Sequence, residues 1–249
     1  PQGGCPWDLE QSFRTIVQHT IEEAYEVADA IEQDDLQSLK SELGDLLFQT
    51  VFYAQMAREA GRFDMADVIR GLNDKMIKRH PHVFGQVSIA DAEQQTHAWE
   101  KQKAEERAAE AAAKGLKPSA IDGVIPGLPA LTRAEKLQKR AARVGFDWPE
   151  PAQALDKIAE ETQEIRAALE EKLPRESVAE EIGDLLFAVV NLARHLQIDS
   201  EGALRAANRK FERRFRRVED ILAAQGKEPA GSTLDEMEAA WVQAKQEER

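Results

Sequence analysis

A chain of 249 residues, 42% hydrophobic, 32% charged and only 6% aromatic, has room for one large domain or two small ones, each with its own core. Its wealth of Ala, Glu, Leu, Arg and Lys favours helix. A net charge of −13 repels nucleic acid and anionic lipid and suits a protein that gathers metal cations, while the single cysteine, Cys5, rules out an internal disulfide and fits a reducing, cytoplasmic setting.

In chain order, the apolar residues Ile16, Ile21, Ala24, Val27 and Ile31 recur near helical spacing and predict a helix over about 13–33, broken by Asp34-Asp35. A second helix is expected over about 36–60, ending near Gly61, and a third over about 65–79, stopping before Pro81. His80-Pro81-His82 reads as a turn, because no Cys or third His completes a zinc set. Residues 111–129 carry Gly115, Pro118, Pro126, Gly127 and Pro129 and read as a linker between a 1–110 domain and a 130–249 domain. Beyond it, helical spacing over 130–144 leads into Gly145-Phe146-Asp147-Trp148. The first half opens on Gly4-Cys5-Pro6-Trp7 with no helix before it, so its opening helix is expected to be missing. The longest apolar run, 185–190, meets Asn191 far short of a membrane span, and no strand alternation appears.

The two halves repeat one another. Glu42-Leu43-Gly44-Asp45-Leu46-Leu47-Phe48 returns as Glu181-Ile182-Gly183-Asp184-Leu185-Leu186-Phe187. The pairs Glu22-Glu23 with Glu26, Asn73 with Lys75 and Arg79, and Trp99 with Glu106-Arg107 return in order as Glu160-Glu161 with Glu164, Asn208 with Lys210 and Arg214, and Trp241 with Glu248-Arg249. The expected fold is all-α: tandem duplicated helical bundles whose short connections make sequential helices antiparallel.

The repeats contain the chemistry. Glu161 and Glu164 share one helix face, as do Glu181 and Asp184 on the next helix, and a hairpin turns the two pairs toward each other. A lone Glu-Glu-x-x-Glu is most often a solvated face. Here the second pair borders an apolar run and carries Gly183, which costs about 1 kcal/mol of helix stability relative to Ala; the first half makes the same unfavourable choice at Gly44. Such a glycine suggests close helix approach or room for a ligand. Four converging carboxylates need a cation, and an all-oxygen set suits Mg²⁺ or Mn²⁺. Glu23, Glu26, Glu42 and Asp45 form the secondary set, with Glu22 beside them as Glu160 is beside the first. Lys210 with Arg214, and Lys75 with Arg79, lie one turn apart and can clamp phosphate or pair with the acids. Lys157, one turn before Glu161, offers a further phosphate contact where the first half has only His19. The second half also carries Arg213, Arg216 and Arg217 where the first has Lys78, His80 and Pro81. Trp99 and Trp241 are candidates for stacking on a base or for packing. Nucleic-acid binding by the arginines around Lys210 is opposed by the net charge and by Glu212 and Glu219.

These motifs, with Gly-Cys-Pro-Trp-Asp at 4–8 and Arg-His-Pro-His-Val-Phe at 79–84, resemble the all-alpha nucleotide pyrophosphohydrolases, in the duplicated MazG form. The resemblance implies a Mg²⁺-dependent homodimer that converts nucleoside triphosphates to monophosphate and pyrophosphate, with the C-terminal half as the catalytic one. It implies Glu161, Glu164, Glu181 and Asp184 as metal ligands, and Lys157, Glu160, Lys210, Arg214 and Trp241 as nucleotide contacts. Glu22, Lys75, Arg79 and Trp99 are the corresponding secondary set. Glu160 or Glu161 is the candidate to orient or deprotonate the attacking water. A narrower pyrophosphatase for one nucleotide, and a non-catalytic regulator that binds metal or nucleotide for a partner protein, are the alternatives.

Overall fold

Local capping chemistry sets where the first three long helices begin. In the computed structural model, which describes residues 4–248 apart from the side chains of Glu93, His97 and Glu110, all regular structure is helical apart from one 3-10 turn at Pro229–Gly231. Ser12 and Thr15 exchange side-chain and backbone hydrogen bonds at the start of α2 (Phe13–Glu32), after a single turn α1 (Pro6–Leu9). Asp34 enters the left-handed region at φ 55°, and the Asp35 carboxylate accepts from Gln37 and Ser38 N–H at 3.0 Å each, which starts α3 (Leu36–Glu59) three residues after α2 stops. Gly61 at φ 64° closes α3, and an Asp64–Asp67 capping box opens α4 (Met65–Arg79). These three expected helices thus appear within a residue of their predicted ends.

Two details differ from expectation. His80-Pro81-His82 does not remain a turn: Pro81 occupies the first position of a one-turn helix, α5 (Pro81–Phe84), where its missing N–H goes unneeded. The following helix α6 runs Ala92–Ala113, three residues into the stretch read as linker, before Gly115 at φ 67° ends it.

The chain divides into two compact units, one through Lys101 and one from Gln102. In the first, α2 and α3 form an antiparallel hairpin packed through Ile16, Ala30, Ala54 and Ala57. In the second, α7 (Ala130–Ala142) packs on α9 (Arg175–His195), and α8 (Pro151–Glu170) pairs with α9 through Ala154, Ala168, Ala188 and Val190. Lys172 at φ 53° turns that hairpin as Asp34 turns the first. Helix α10 (Ser200–Ala224) lies against α11 (Leu234–Glu247), where Val218, Ile221, Leu222, Ala240 and Ala244 form a buried cluster, with Met237 and Trp241 packed on it. Alanine at the hairpin contacts lets the backbones approach closely and leaves the longer side chains outside. Arg249 lies outside the described residues.

Candidate active site

The α8–α9 hairpin fixes the acids. Glu161, on the buried side of α8, is 3% exposed, and its carboxylate meets those of Glu181 and Asp184 on α9, with one oxygen of each inside 4.8 Å of the others. Glu164 stands one turn along and shares a hydrogen bond with Glu161; that bond, burial and the charges of Glu161 and Glu181 together raise its pKa, against an opposing pull from Lys157. In the first unit the same spacing brings together Glu23, Glu26 and Glu42. There burial, then the charges of Glu26, Asp45 and Glu42, push the Glu23 carboxyl above its ordinary range. All eight predicted acids therefore belong to two clusters. Asp45 and Glu164 stand beside the tight triads rather than inside them.

Like charges held this close favour a cation, and the donors are all carboxylate oxygens, the set that Mg²⁺ or Mn²⁺ takes. The residues present fit such an ion. The glycines do not serve close helix approach, however: a Cβ at Gly44 or Gly183 would meet nothing within 4 Å, so both leave open space beside the acids.

Lys157 supplies the only cation that touches the second cluster among the described ion pairs. Its Nζ lies 2.6 Å from Glu161 Oε1 and 2.8 Å from Glu160 Oε1, and these bonds hold its pKa well above the lysine range. His19 occupies the corresponding place in the first unit, with Nδ1 3.0 Å from Glu22. Glu160 is exposed, one residue from buried Glu161.

The second basic pair is not in contact with the acids. Arg214 donates through Nε to Glu248 at 2.6 Å, with its guanidinium 5.8 Å from the Trp241 ring centre, and Lys210 is exposed. Neither forms an ion pair with the acidic triad among the described residues. The basic surplus read from the sequence is largely neutralised too: Arg213 pairs with Glu248 at 3.0 Å and Arg217 with Glu247 at 2.6 Å, all on the α10–α11 hairpin. In the first unit Lys75 is exposed, and Arg79 lends its carbonyl to Trp99, whose Nε1 donates at 2.7 Å while His80 meets the ring edge-on. Trp241 lies 5.4 Å from Phe211. Both tryptophans thus take part in packing.

The model of the MazG nucleotide pyrophosphohydrolase domain matches residues 11–84 and, a second time, residues 150–218. The chain belongs to the MazG family. The two matched MazG segments contain the two acidic clusters. Over 249 residues the chain is 51% identical to the nucleoside triphosphate pyrophosphohydrolase of Escherichia coli K12, spanning all of this chain and 93% of that protein. It is 44% identical over 243 residues to the Thermotoga maritima nucleoside triphosphate pyrophosphohydrolase/pyrophosphatase MazG, covering 97% of this chain and 89% of the other. The Mycobacterium tuberculosis nucleoside triphosphate pyrophosphohydrolase is 36% identical over 143 residues, 57% of this chain and 41% of its own.

The sequence reading missed a polar group beyond the acids. Arg194 on α9 makes a two-pronged pair with Asp147, one prong at 3.0 Å, and reaches Asn191 Oδ1 at 2.8 Å. Burial alone would raise the Asp147 pKa, but the bond and charge of Arg194, with His195 3.3 Å away, lower it. A signal existed in the repeat: with Glu42 aligned on Glu181, Asn191 replaces Phe52 and Arg194 replaces Gln55.

Proposed function

We propose that this chain hydrolyses nucleoside triphosphates to the monophosphate and pyrophosphate at the α8–α9 cluster, as a cytoplasmic homodimer, with Mg²⁺ or Mn²⁺ as its cofactor. The observation that carries this reading is the convergence of Glu161, Glu181 and Asp184 inside a matched MazG segment. The cation, held by these three with Glu164 beside them, would polarise phosphate oxygens and make water a stronger nucleophile.

The residues of the chain do the rest. Lys157 sits on the cluster as a resident counter-charge and can exchange its carboxylate partners for a phosphate oxygen. That exchange frees exposed Glu160 to accept a hydrogen bond from the attacking water, so that attack at the α-phosphorus expels pyrophosphate. Lys210, exposed and outside any ion pair with the acids, is available to the departing β- and γ-phosphates; Arg214 joins it by releasing Glu248. No helix among the described residues is long and apolar enough to cross a membrane, and Arg213, Arg214 and Arg217 are paired with acids.

The test is a metal-dependent pyrophosphate-release assay over all ribo- and deoxyribonucleoside triphosphates. Release of pyrophosphate that stops in excess EDTA is expected. Orthophosphate plus diphosphate as products, or full turnover in EDTA, overturns the chemistry. Metal binding with no turnover of any nucleotide assigns the chain a regulatory role instead.

A further inference from the structure

Two carboxylates at the end of α11 hold the arginines of α10. Glu247 is the last residue of α11 and Glu248 is its C-cap. The Glu248 carboxylate is divided between two neighbouring guanidinium groups: Oε2 accepts from Arg214 Nε at 2.6 Å and Oε1 from Arg213 Nε at 3.0 Å. The two arginines differ in exposure. The Arg214 side chain is 18% exposed and that of Arg213 64%, with Glu248 at 26%. The inner guanidinium also lies over the Trp241 ring, 5.8 Å from its centre. A largely enclosed guanidinium without an anion is costly, so without a ligand Glu248 supplies the charge that Arg214 needs. Arg217 is served separately, in a two-pronged pair with Glu247 at 2.6 and 3.2 Å.

A carboxylate bonded to two guanidinium groups holds them as a phosphate would, since both anions present paired oxygens to N–H donors. This one is also tethered. It is carried by α11, whose Ala240 and Ala244 pack on α10, so it competes for Arg214 at high effective concentration. A free anion displaces it only with more charge or more partners. The terminal phosphate of a triphosphate brings about two negative charges, and Lys210, exposed and one turn before Arg214 on the same helix face, adds a second cation. We infer that Glu248 is a phosphate surrogate: a specificity-determining carboxylate that keeps Arg214 closed to anything with fewer phosphates than a triphosphate and retakes it as pyrophosphate leaves. On displacement the carboxylate stays with exposed Arg213, so its charge remains paired, while the Trp241 ring keeps the Arg214 guanidinium in place. After cleavage, pyrophosphate has lost its link to the nucleoside and competes alone against a tethered rival. The inference rests on the hydrolase reading, which puts the β- and γ-phosphates at Lys210 and Arg214.

The test is calorimetric titration of the full chain with inorganic pyrophosphate in Mg²⁺. Glu248→Gln keeps the size of the side chain and removes its charge. It is expected to bind pyrophosphate about three- to tenfold more tightly than wild type, and to leave the binding of a nucleoside monophosphate unchanged. Glu247→Gln removes the same charge one residue away and is expected to change pyrophosphate binding by less than about twofold. In turnover, Glu248→Gln is expected to lower KM and to make pyrophosphate a proportionately stronger inhibitor. Weaker pyrophosphate binding by Glu248→Gln overturns the surrogate and makes Glu248 a brace that orients Arg214. Unchanged binding overturns it as well, as does equal tightening by Glu247→Gln, which would trace the effect to overall charge. Trp241 fluorescence reports whether α11 stays docked. Should Glu248→Gln loosen that helix, Glu248→Asp, which keeps the charge but withdraws it by one methylene, is expected to tighten pyrophosphate binding too, and its failure to do so overturns the surrogate. Tighter binding by Glu248→Gln in a chain that releases no pyrophosphate from any triphosphate keeps the surrogate and sinks the hydrolase reading; pyrophosphate release with binding indifferent to Glu248 does the reverse.

Discussion

Lys157 faces opposing demands. Its ammonium relieves the repulsion around buried Glu161, yet the same contact competes with any cation that the carboxylates would hold. Removing the charge should therefore move two measurements in opposite directions. Lys157→Met is expected to tighten Mg²⁺ binding in a titration without nucleotide. In steady-state assays it is expected to lower kcat/KM for triphosphates by about tenfold or more, the scale of one charge-assisted hydrogen bond to phosphate. Weaker Mg²⁺ binding in that variant would show that the lysine organises the acids rather than competing with metal. The acids themselves were legible from sequence because three-residue spacing on adjacent helices, repeated twice, leaves few other arrangements. The partner of Arg214 was not legible: Glu248 lies at the end of a separate helix, and no spacing rule places it near Arg214.

At the scale of elements, helix ends were readable wherever a local stop existed, as at Asp34-Asp35, Gly61 and Pro81. What local pattern does not encode is the attachment of the segment between α7 and α8 to α9, which depends on Asp147 meeting Arg194 across 47 positions of sequence. Arg194 is the more enclosed partner, its side chain 10% exposed against 24% for that of Asp147, so breaking the pair leaves a guanidinium poorly solvated. Asp147→Asn is expected to cost about 2 kcal/mol at neutral pH, less than a fully buried pair because water reaches the carboxylate. The sign with pH follows from the lowered pKa of Asp147: its stabilisation is present above the unfolded-state value and is lost as pH falls through the lower folded-state value. Urea denaturation of both proteins at pH 7 and below pH 4 should thus show the difference shrinking on the acid side. A constant difference across that interval would mean that the ion pair is not what the substitution removes.

For the whole molecule, apolar surface is the first quantity to explain. The chain exposes 18065 Å², whereas two separately folded compact bodies of the same total mass would expose roughly 13,000 Å². Leu43, Leu47 and Val51 form an exposed stripe along α3, and Ile182, Leu186 and Val189 lie exposed on α9. Such faces suit the proposed homodimer, for which light scattering at micromolar concentration is expected to give a mass above the 27.9 kDa of one chain. A mass that stays at one chain would count against the dimer. Duplication then raises the question of which half turns over substrate. Both clusters hold three converging carboxylates, so metal affinity alone does not divide them. The arginine surplus does not divide them either, because Arg213 and Arg217 are committed to Glu248 and Glu247. Two differences remain. Lys157 gives the second cluster an ammonium bonded to its buried acid, where the first unit has the imidazole of His19 beside Glu22. The Asp147–Arg194–Asn191 group also belongs to the second unit, where the first has Phe52 and Gln55 in place of Asn191 and Arg194. A triphosphate needs positive charge at its phosphates to be positioned for attack, and positioning is a large part of phosphoryl-transfer catalysis. Glu181→Ala is therefore expected to abolish pyrophosphate release, while Glu42→Ala, assayed as a folded protein of unchanged oligomeric mass, keeps most of it. Equal losses would mean that both clusters work, and loss with Glu42→Ala alone would move the active site to the first unit.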